Sequence, residues 1–140
     1  MSRVVVVDTS VFVSSLISPL GHSRSAIRAC LRGEYQPIMG TKLYLEYESV
    51  MQRNTLFARS PISAEERHDL FLAFLSVCRW VKVYYIWRPN LQDEADNHVL
   101  ELAVAGGAEI IMTHNIKDFQ SGNLLFPAIT ILRPKDLERG

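Results

Sequence analysis

At 140 residues, 48% hydrophobic and 21% charged, the chain has the size of one domain able to bury a core without disulfide or metal staples. Its composition excludes a disordered or low-complexity protein. Fifteen Lys and Arg balance fifteen Asp and Glu, so no global field draws it to nucleic acid or an anionic membrane, and any polyanion must be gripped locally.

Val4 to Val7 are four β-branched residues in a row, which suits a strand buried on both faces, as in a parallel sheet covered by helices. A strand is therefore predicted over Arg3 to Val7, with Asp8 at its carboxyl end. A buried lone carboxylate is costly unless paired, hydrogen-bonded or bound to a cation, so Asp8 needs a capping role or a chemical one. This run ends at an acid too early to be a signal-peptide core, and no apolar run approaches the ~20 residues of a membrane span. A soluble, cytoplasmic single domain over residues 1–140 is expected.

An apolar helix near Ser10 to Ile17 is broken by Ser18-Pro19-Leu20-Gly21. A second helix, about Ser23 to Arg32, carries Arg24, Arg28 and Arg32 at four-residue spacing, with Ile27, Cys30 and Leu31 on another side. That stripe is a solvated face or a local grip on phosphates. Gln36-Pro37 leads into a short strand at Ile38 and Met39, and Thr41 is expected to cap a third helix bearing Leu43, Tyr44, Tyr47, Val50 and Met51. Residues Arg53 to Pro61 read as a loop. Ser63-Ala64-Glu65-Glu66 is a capping box for a fourth helix with Leu70, Phe71, Phe74, Leu75 and Cys78. A strand is predicted over Trp80 to Tyr85 and a helix from Asp93 to about Ala105, closed by Gly106-Gly107. The strand Ile110 to Met112, a polar turn over Thr113 to Asn123 and a strand over Ala128 to Leu132 complete the chain. Cys30 and Cys78 lack paired-cysteine spacing and read as reduced core thiols.

Strands alternating with helices imply an α/β fold with a mainly parallel sheet, whose ligands bind outside the strands' carboxyl ends, where Asp8 lies. In the helix after Asp93, about 100° per residue places Asp96 within the apolar stripe of Val99, Leu100 and Ala103, with Asp93 near the same side; Glu94 and Glu101 point away. Capping explains Asp93 as well as chemistry does, but a cap need not occupy the apolar stripe. Glu46 and Glu48 both flank the apolar side of the third helix, and phase alone does not choose between them. Thr113, His114, Asn115 and Asp118 follow the strand Ile110 to Met112, again at a carboxyl end; a turn histidine on the surface is the plainer reading of His114. Oxygen donors without paired His or Cys suit Mg²⁺ or Mn²⁺ rather than zinc. Two such ions would serve an in-line displacement at a phosphodiester.

Together, VVVVDTSVFVSSL, LYLEYESVM, DEADNHVLELAVAGGAEIIMTHNIKDF and ITILRPKDL make nearly the whole chain resemble a PIN domain of the small bacterial type found as the toxin ribonuclease of toxin–antitoxin pairs (VapC-like). The resemblance implies a three-layer α/β/α sandwich, an acidic cluster binding Mg²⁺ or Mn²⁺, and endonucleolytic cleavage of RNA. Asp8 matches the family's first acid, Glu46 rather than Glu48 its helical glutamate, and Asp96 its third. Asp93 resembles an extra acid one turn earlier, while Thr9, Ser10 and Thr113 match small hydroxyl residues lining the site. The departure is Asn115, where many members carry an aspartate; a second ion would then lean on Asp93 or Asp118. A cognate antitoxin and a homodimer are implied by the resemblance alone, and Tyr44, Tyr47, Phe71, Phe74 and Trp80 read as core before interface. Two other functions compete with a nuclease. One is a PIN-like module that binds RNA or a protein without turnover; the other is a phosphatase using Asp8 as nucleophile, for which the late Gly-Asp motif is missing.

Overall fold

The valine run becomes the centre of the sheet. In the computed structural model, which describes residues 2–18, 21–83, 97–117, 119, 126 and 128–139, β1 (Arg3–Val7) is flanked by β2 (Tyr35–Met39) and β4 (Ile110–Met112). β3 (Arg79–Trp80) and β5 (Thr130–Leu132) lie outside them, giving five parallel strands in the order β3-β2-β1-β4-β5. Val5, Val6 and Val7 are all buried, so both faces of the central strand are covered. Helices cover it in a three-layer α/β/α arrangement, among the described residues α1 (Thr9–Ile17), α2 (His22–Leu31), α3 (Thr41–Met51), α4 (Ala64–Val77) and α5 (Asn97–Gly106). No helix among the described residues is long and apolar enough to cross a membrane.

Within the core, a set of aromatic rings joins α1, α3 and α4. Phe12 of α1 meets Tyr47 of α3 at 5.3 Å and Phe74 and Phe71 of α4 at 5.4 and 6.0 Å between ring centres. These rings tie three helices together, and separations of about 4.5–7 Å favour tilted and offset pairs. Trp80 departs from expectation: it is 54% exposed at the sheet edge, stacked edge-on against half-buried Tyr44 rather than buried in the core. Cys30 and Cys78 are free, as expected, and burial pushes both thiols up to about 12.

Some boundaries shift for local reasons. Gly40, not Thr41, occupies the N-cap of α3. β2 begins at Tyr35 and contains Pro37; β3 pairs with β2 at Ile38 and Met39, so at Pro37 the strand has one partner, a place where a sheet tolerates a missing N–H. The loop after α3 holds a 3-10 turn, Asn54–Phe57, anchored by buried Phe57 beneath the Arg67 guanidinium at 4.5 Å. The expected strand over Trp80 to Tyr85 shortens to β3, Arg79–Trp80: residues 81–83 are not strand, although the Val81 amide still donates to the Met39 carbonyl at 2.8 Å, and residues 84 and 85 lie outside the described residues. Gly107 takes φ +69°, which favours glycine at the end of α5, in line with the Gly-Gly stop.

The capping box of α4 forms in both directions: the Glu66 amide donates to Ser63 Oγ at 3.1 Å and the Ser63 amide donates to Glu66 Oε1 at 3.1 Å. Ser63→Ala should cost about 1 kcal/mol. Calorimetry should read this as a drop of about 3–5 °C in Tm, and an unchanged Tm would mean the box contributes nothing.

Candidate active site

The strand order reverses beside β1: the chain leaves β1 toward β2 on one side and returns to β4 on the other. This is a topological switch point, where an open α/β sheet leaves a crevice at the carboxyl ends of its strands. The register sets what lines that crevice. Val7 is opposite Met112, and the Asp8 amide donates to the Met112 carbonyl at 2.9 Å, so one step further along Asp8 faces Thr113. Cross-strand partners project to the same side.

Asp8 is 4% exposed and stands at the N-cap of α1, yet its side chain makes no capping hydrogen bond. Instead its Oδ2 accepts from Thr113 Oγ1 at 2.7 Å and from Ser10 Oγ at 2.9 Å. Burial pushes its carboxyl above the usual range; the two hydroxyls pull it back, and the nearby Glu46 charge raises it further. The carboxylate thus has two hydroxyl partners and a like-charged neighbour.

Glu46 reaches the same place from α3. Its Oε1 accepts from Thr9 Oγ1 at 2.5 Å, and its Oε2 lies 2.8 Å from His98 Nε2 of α5. Burial raises its carboxyl, but the hydrogen bonds from His98 and Thr9 and the charges of His98 and Arg53 outweigh that and hold it below the usual range. One acid is held up and its neighbour held down. Such opposed environments mark functional sites more often than structural ones. Behind them, buried Tyr47 donates its hydroxyl to the Val7 carbonyl at 2.6 Å, fixing α3 to the strand that carries Asp8.

A family model described as PIN domain matches residues 4–117. The chain belongs to the PIN-domain family. PIN domains are generally nucleases, and PIN nucleases usually use divalent metal ions. Among solved structures, this PIN domain is similar to the crystal structure of VapBC2 from Rickettsia felis bound to a DNA fragment from their promoter, with a TM-score of 0.60 and 13% identity over 92% of this chain and 97% of that one. At that identity the likeness is one of fold. No curated protein matches the chain.

The PIN domain brings Asp8, Thr9, Ser10, Glu46 and Thr113 together. Asn115 is tied to them through its amide, which donates to Thr113 Oγ1 at 3.0 Å. Glu48, the alternative to Glu46, is exposed and accepts from Tyr44 at 3.0 Å, away from Asp8. Asp93, Asp96 and Asp118 lie outside the described residues. Among the described residues, no group of three or more His, Cys, Asp or Glu gathers for a metal; Asp8 and Glu46 are the pair that is described. In the arginine series, Arg24 turns inward, its Nε donating to the Ser15 carbonyl at 2.9 Å, while Arg28 is exposed and Arg32 pairs with Glu34 at 2.7 Å. His114 is exposed at its turn and lies 3.0 Å from Ser23 Oγ.

His98 is the residue that reading the sequence missed. Its helical phase is nearly opposite that of Leu100 and Ala103, so it reads as a solvent-side histidine. Glu101 fails in the same way: it points away on a helical wheel and is 2% exposed. The cause is that α5 packs on β1, β2 and β4 and also against α3. A helix clasped on more than one side has no single apolar stripe.

Proposed function

We propose that this PIN domain is a metal-dependent endoribonuclease and the toxin component of a toxin–antitoxin pair. In this reading Asp8, Glu46 and Asp96 hold Mg²⁺ or Mn²⁺, with Asp93, Asn115 and Asp118 as further oxygen donors. The observation that carries it is the pairing of Asp8 and Glu46 across the switch-point crevice, with Asp8 buried, its carboxyl raised, and hydrogen-bonded to hydroxyls. The donor set fits a hard divalent ion: carboxylate and amide oxygens, with no cysteine at the site and the His98 ring engaged by Glu46. When bound, such an ion polarises a phosphodiester and lowers the pKa of water for in-line attack. The chain's own part is positional. Thr113 and Ser10 fix Asp8, and Thr9 and His98 fix the Glu46 carboxylate from two sides, so neither acid needs to reorganise when a substrate arrives.

The antitoxin as partner is supported by the fold neighbour, a VapBC2 assembly. A homodimer belongs to the same proposal, with exposed Leu45, Leu72 and Trp80 as available apolar surface. Asn115 favours a second reading, a module that binds RNA or a protein without cutting, because it brings oxygen but no charge.

The test is cleavage of an end-labelled RNA mixture by the wild-type protein in Mg²⁺, Mn²⁺ or EDTA, beside Asp96→Asn. Cutting that requires metal and vanishes in the variant is expected. RNA bound but left intact by the wild type in every condition would replace the enzyme with the binding module.

A further inference from the structure

Three small concavities adjoin one another on one flank of the molecule. The first, about 320 Å³, is lined by Lys117, His114, Arg133 and Asn115, whose amide donates to Thr113 of the candidate active site. The second, about 190 Å³, shares His114 and Arg133 with it and adds His22 and Lys135. The third, about 260 Å³, shares His22 and Pro134 with the second and continues past Arg28 and Arg32 to Tyr35. The first two share His114 and Arg133 and the last two share His22 and Pro134, so they lie side by side as a groove along this flank. It starts at the turn after β4, passes the end of β5, and descends between α2 and the 3-10 turn Pro134–Arg139 to the first residue of β2.

The fold builds this groove from two straps. Ser23 Oγ and His114 Nε2, 3.0 Å apart, hold the head of α2 to the β4 turn, and Tyr35 donates to the Leu137 carbonyl at 3.4 Å, joining the lower end to the chain's last turn. Along α2, positions 22, 25, 28 and 32 fall on one face, the face turned to the groove. Arg24, next to Arg28 around the helix, is turned inward and spent on the Ser15 carbonyl. The groove is strongly cationic although the protein is neutral overall. Lys117, Arg133, Lys135 and Arg28 are exposed, and no hydrogen bond or ion pair among the described residues engages their charged groups. The acid among its described lining residues is Glu34, already paired with Arg32.

We propose that this groove is the track for the phosphate backbone of a single-stranded RNA running from the active site, across Arg133 and Lys135, and down α2 to Arg28 and Arg32. The inference rests on the ribonuclease reading and adds the path of the substrate to it. Charge complementarity selects a polyanion, and continuity with Asn115, next to Thr113 and Asp8, selects one whose scissile phosphate lies in the crevice. From His22 to Arg32 the helix rises about 15 Å, enough for several phosphates. Tyr35, half-buried at the far end, offers a ring for a base to stack on. Backbone contacts of this kind position the strand without reading its sequence, so cleavage preference arises elsewhere.

Fluorescence anisotropy with a labelled homopolymeric single-stranded RNA, in EDTA and over a salt series, tests the track. The Arg28→Ala/Lys135→Ala double variant should bind roughly tenfold more weakly, and its salt slope should be shallower by about 0.7 per lost contact. Arg28→Lys should restore most of that residue's share, and Arg59→Ala, which removes one charge at an exposed site that does not line the groove, should leave both quantities unchanged. Circular dichroism of each variant confirms the fold. A wild type that cuts RNA in Mg²⁺ while the double variant keeps wild-type affinity and slope overturns the track and leaves the ribonuclease reading intact. A wild type that neither binds nor cuts RNA overturns both and leaves the groove to an acidic protein segment.

Discussion

Asp8→Asn is expected to lower metal-dependent RNA cleavage by at least about a hundredfold and, in the absence of metal, to raise Tm near neutral pH. The two halves have one cause. Asp8 is buried and its carboxyl is pushed up by that burial, so the folded state holds its ionised form poorly. Asparagine keeps an oxygen for the Thr113 and Ser10 hydroxyls and removes the buried charge, at the expense of the charge that a cation needs. The sign with pH follows from the direction of the shift. A carboxyl with a raised folded pKa contributes stability that is full below its unfolded value, about 3.9, and that is lost as pH rises through the folded value. The stability gap between Asp8→Asn and the wild type should therefore be widest above the folded pKa of Asp8 and close as the solution is acidified. Glu46 works in the opposite sense: its lowered carboxyl contributes stability above its unfolded value and loses it as pH falls through the folded one. Comparing the two proteins at each pH removes that common term. Mg²⁺ should stabilise the wild type by about 2.7 kcal/mol at a hundred times its Kd, raising its Tm with concentration, and leave Asp8→Asn nearly unmoved. Equal cleavage by both proteins, or an equal metal-induced rise in Tm, would remove Asp8 from the site.

Phe12→Ala should be the most damaging single change in the core, costing about 3–5 kcal/mol. In a chain of this size that corresponds to a fall of about 10–15 °C in Tm. Phe12 is 1% exposed and its ring touches Tyr47, Phe71 and Phe74, so its removal opens a cavity between α1, α3 and α4 that no single neighbour can close. The consequence reaches the site. Phe12 lies one helical turn beyond Asp8, and Tyr47 is both its stacking partner and the donor to the Val7 carbonyl. Urea denaturation followed by circular dichroism measures the loss. A change below about 1 kcal/mol would mean the three helices collapse freely around the gap, contrary to the tight packing of ordinary cores.

The clearest parts of this protein in its sequence are those governed by neighbours in the chain. Four valines ending in aspartate specify a buried parallel strand with an acid at its carboxyl end, and the Ser63 and Glu66 spacing specifies a helix start; both depend on local periodicity and local hydrogen bonds. The aromatic series of α3 and α4 is legible for the same reason, because one helix face at a time meets the core, and Tyr47, Phe71 and Phe74 are buried as their spacing implies. The family pattern in the sequence also separates Glu46 from Glu48, which helical phase leaves tied, and the geometry puts Glu46 beside Asp8.

What only the tertiary structure decides are relations between elements distant in the chain. That Thr113 faces Asp8 depends on the register of β1 against β4, 105 residues apart, and no local signal encodes a register between parallel strands joined by long crossovers. His98 and Glu101 escape the helical wheel because α5 is enclosed by the sheet and by α3, whereas a wheel assumes one buried side. The arginine series of α2 divides for a related reason: four-residue spacing places Arg24, Arg28 and Arg32 near one another on a cylinder, but the packing of α1 captures Arg24 and leaves the other two facing outward. Sequence sets which groups the chain can offer at each strand and helix end, because those choices are made over a few residues. Which of them meet is set by long-range packing, because only closure of the core brings those ends together.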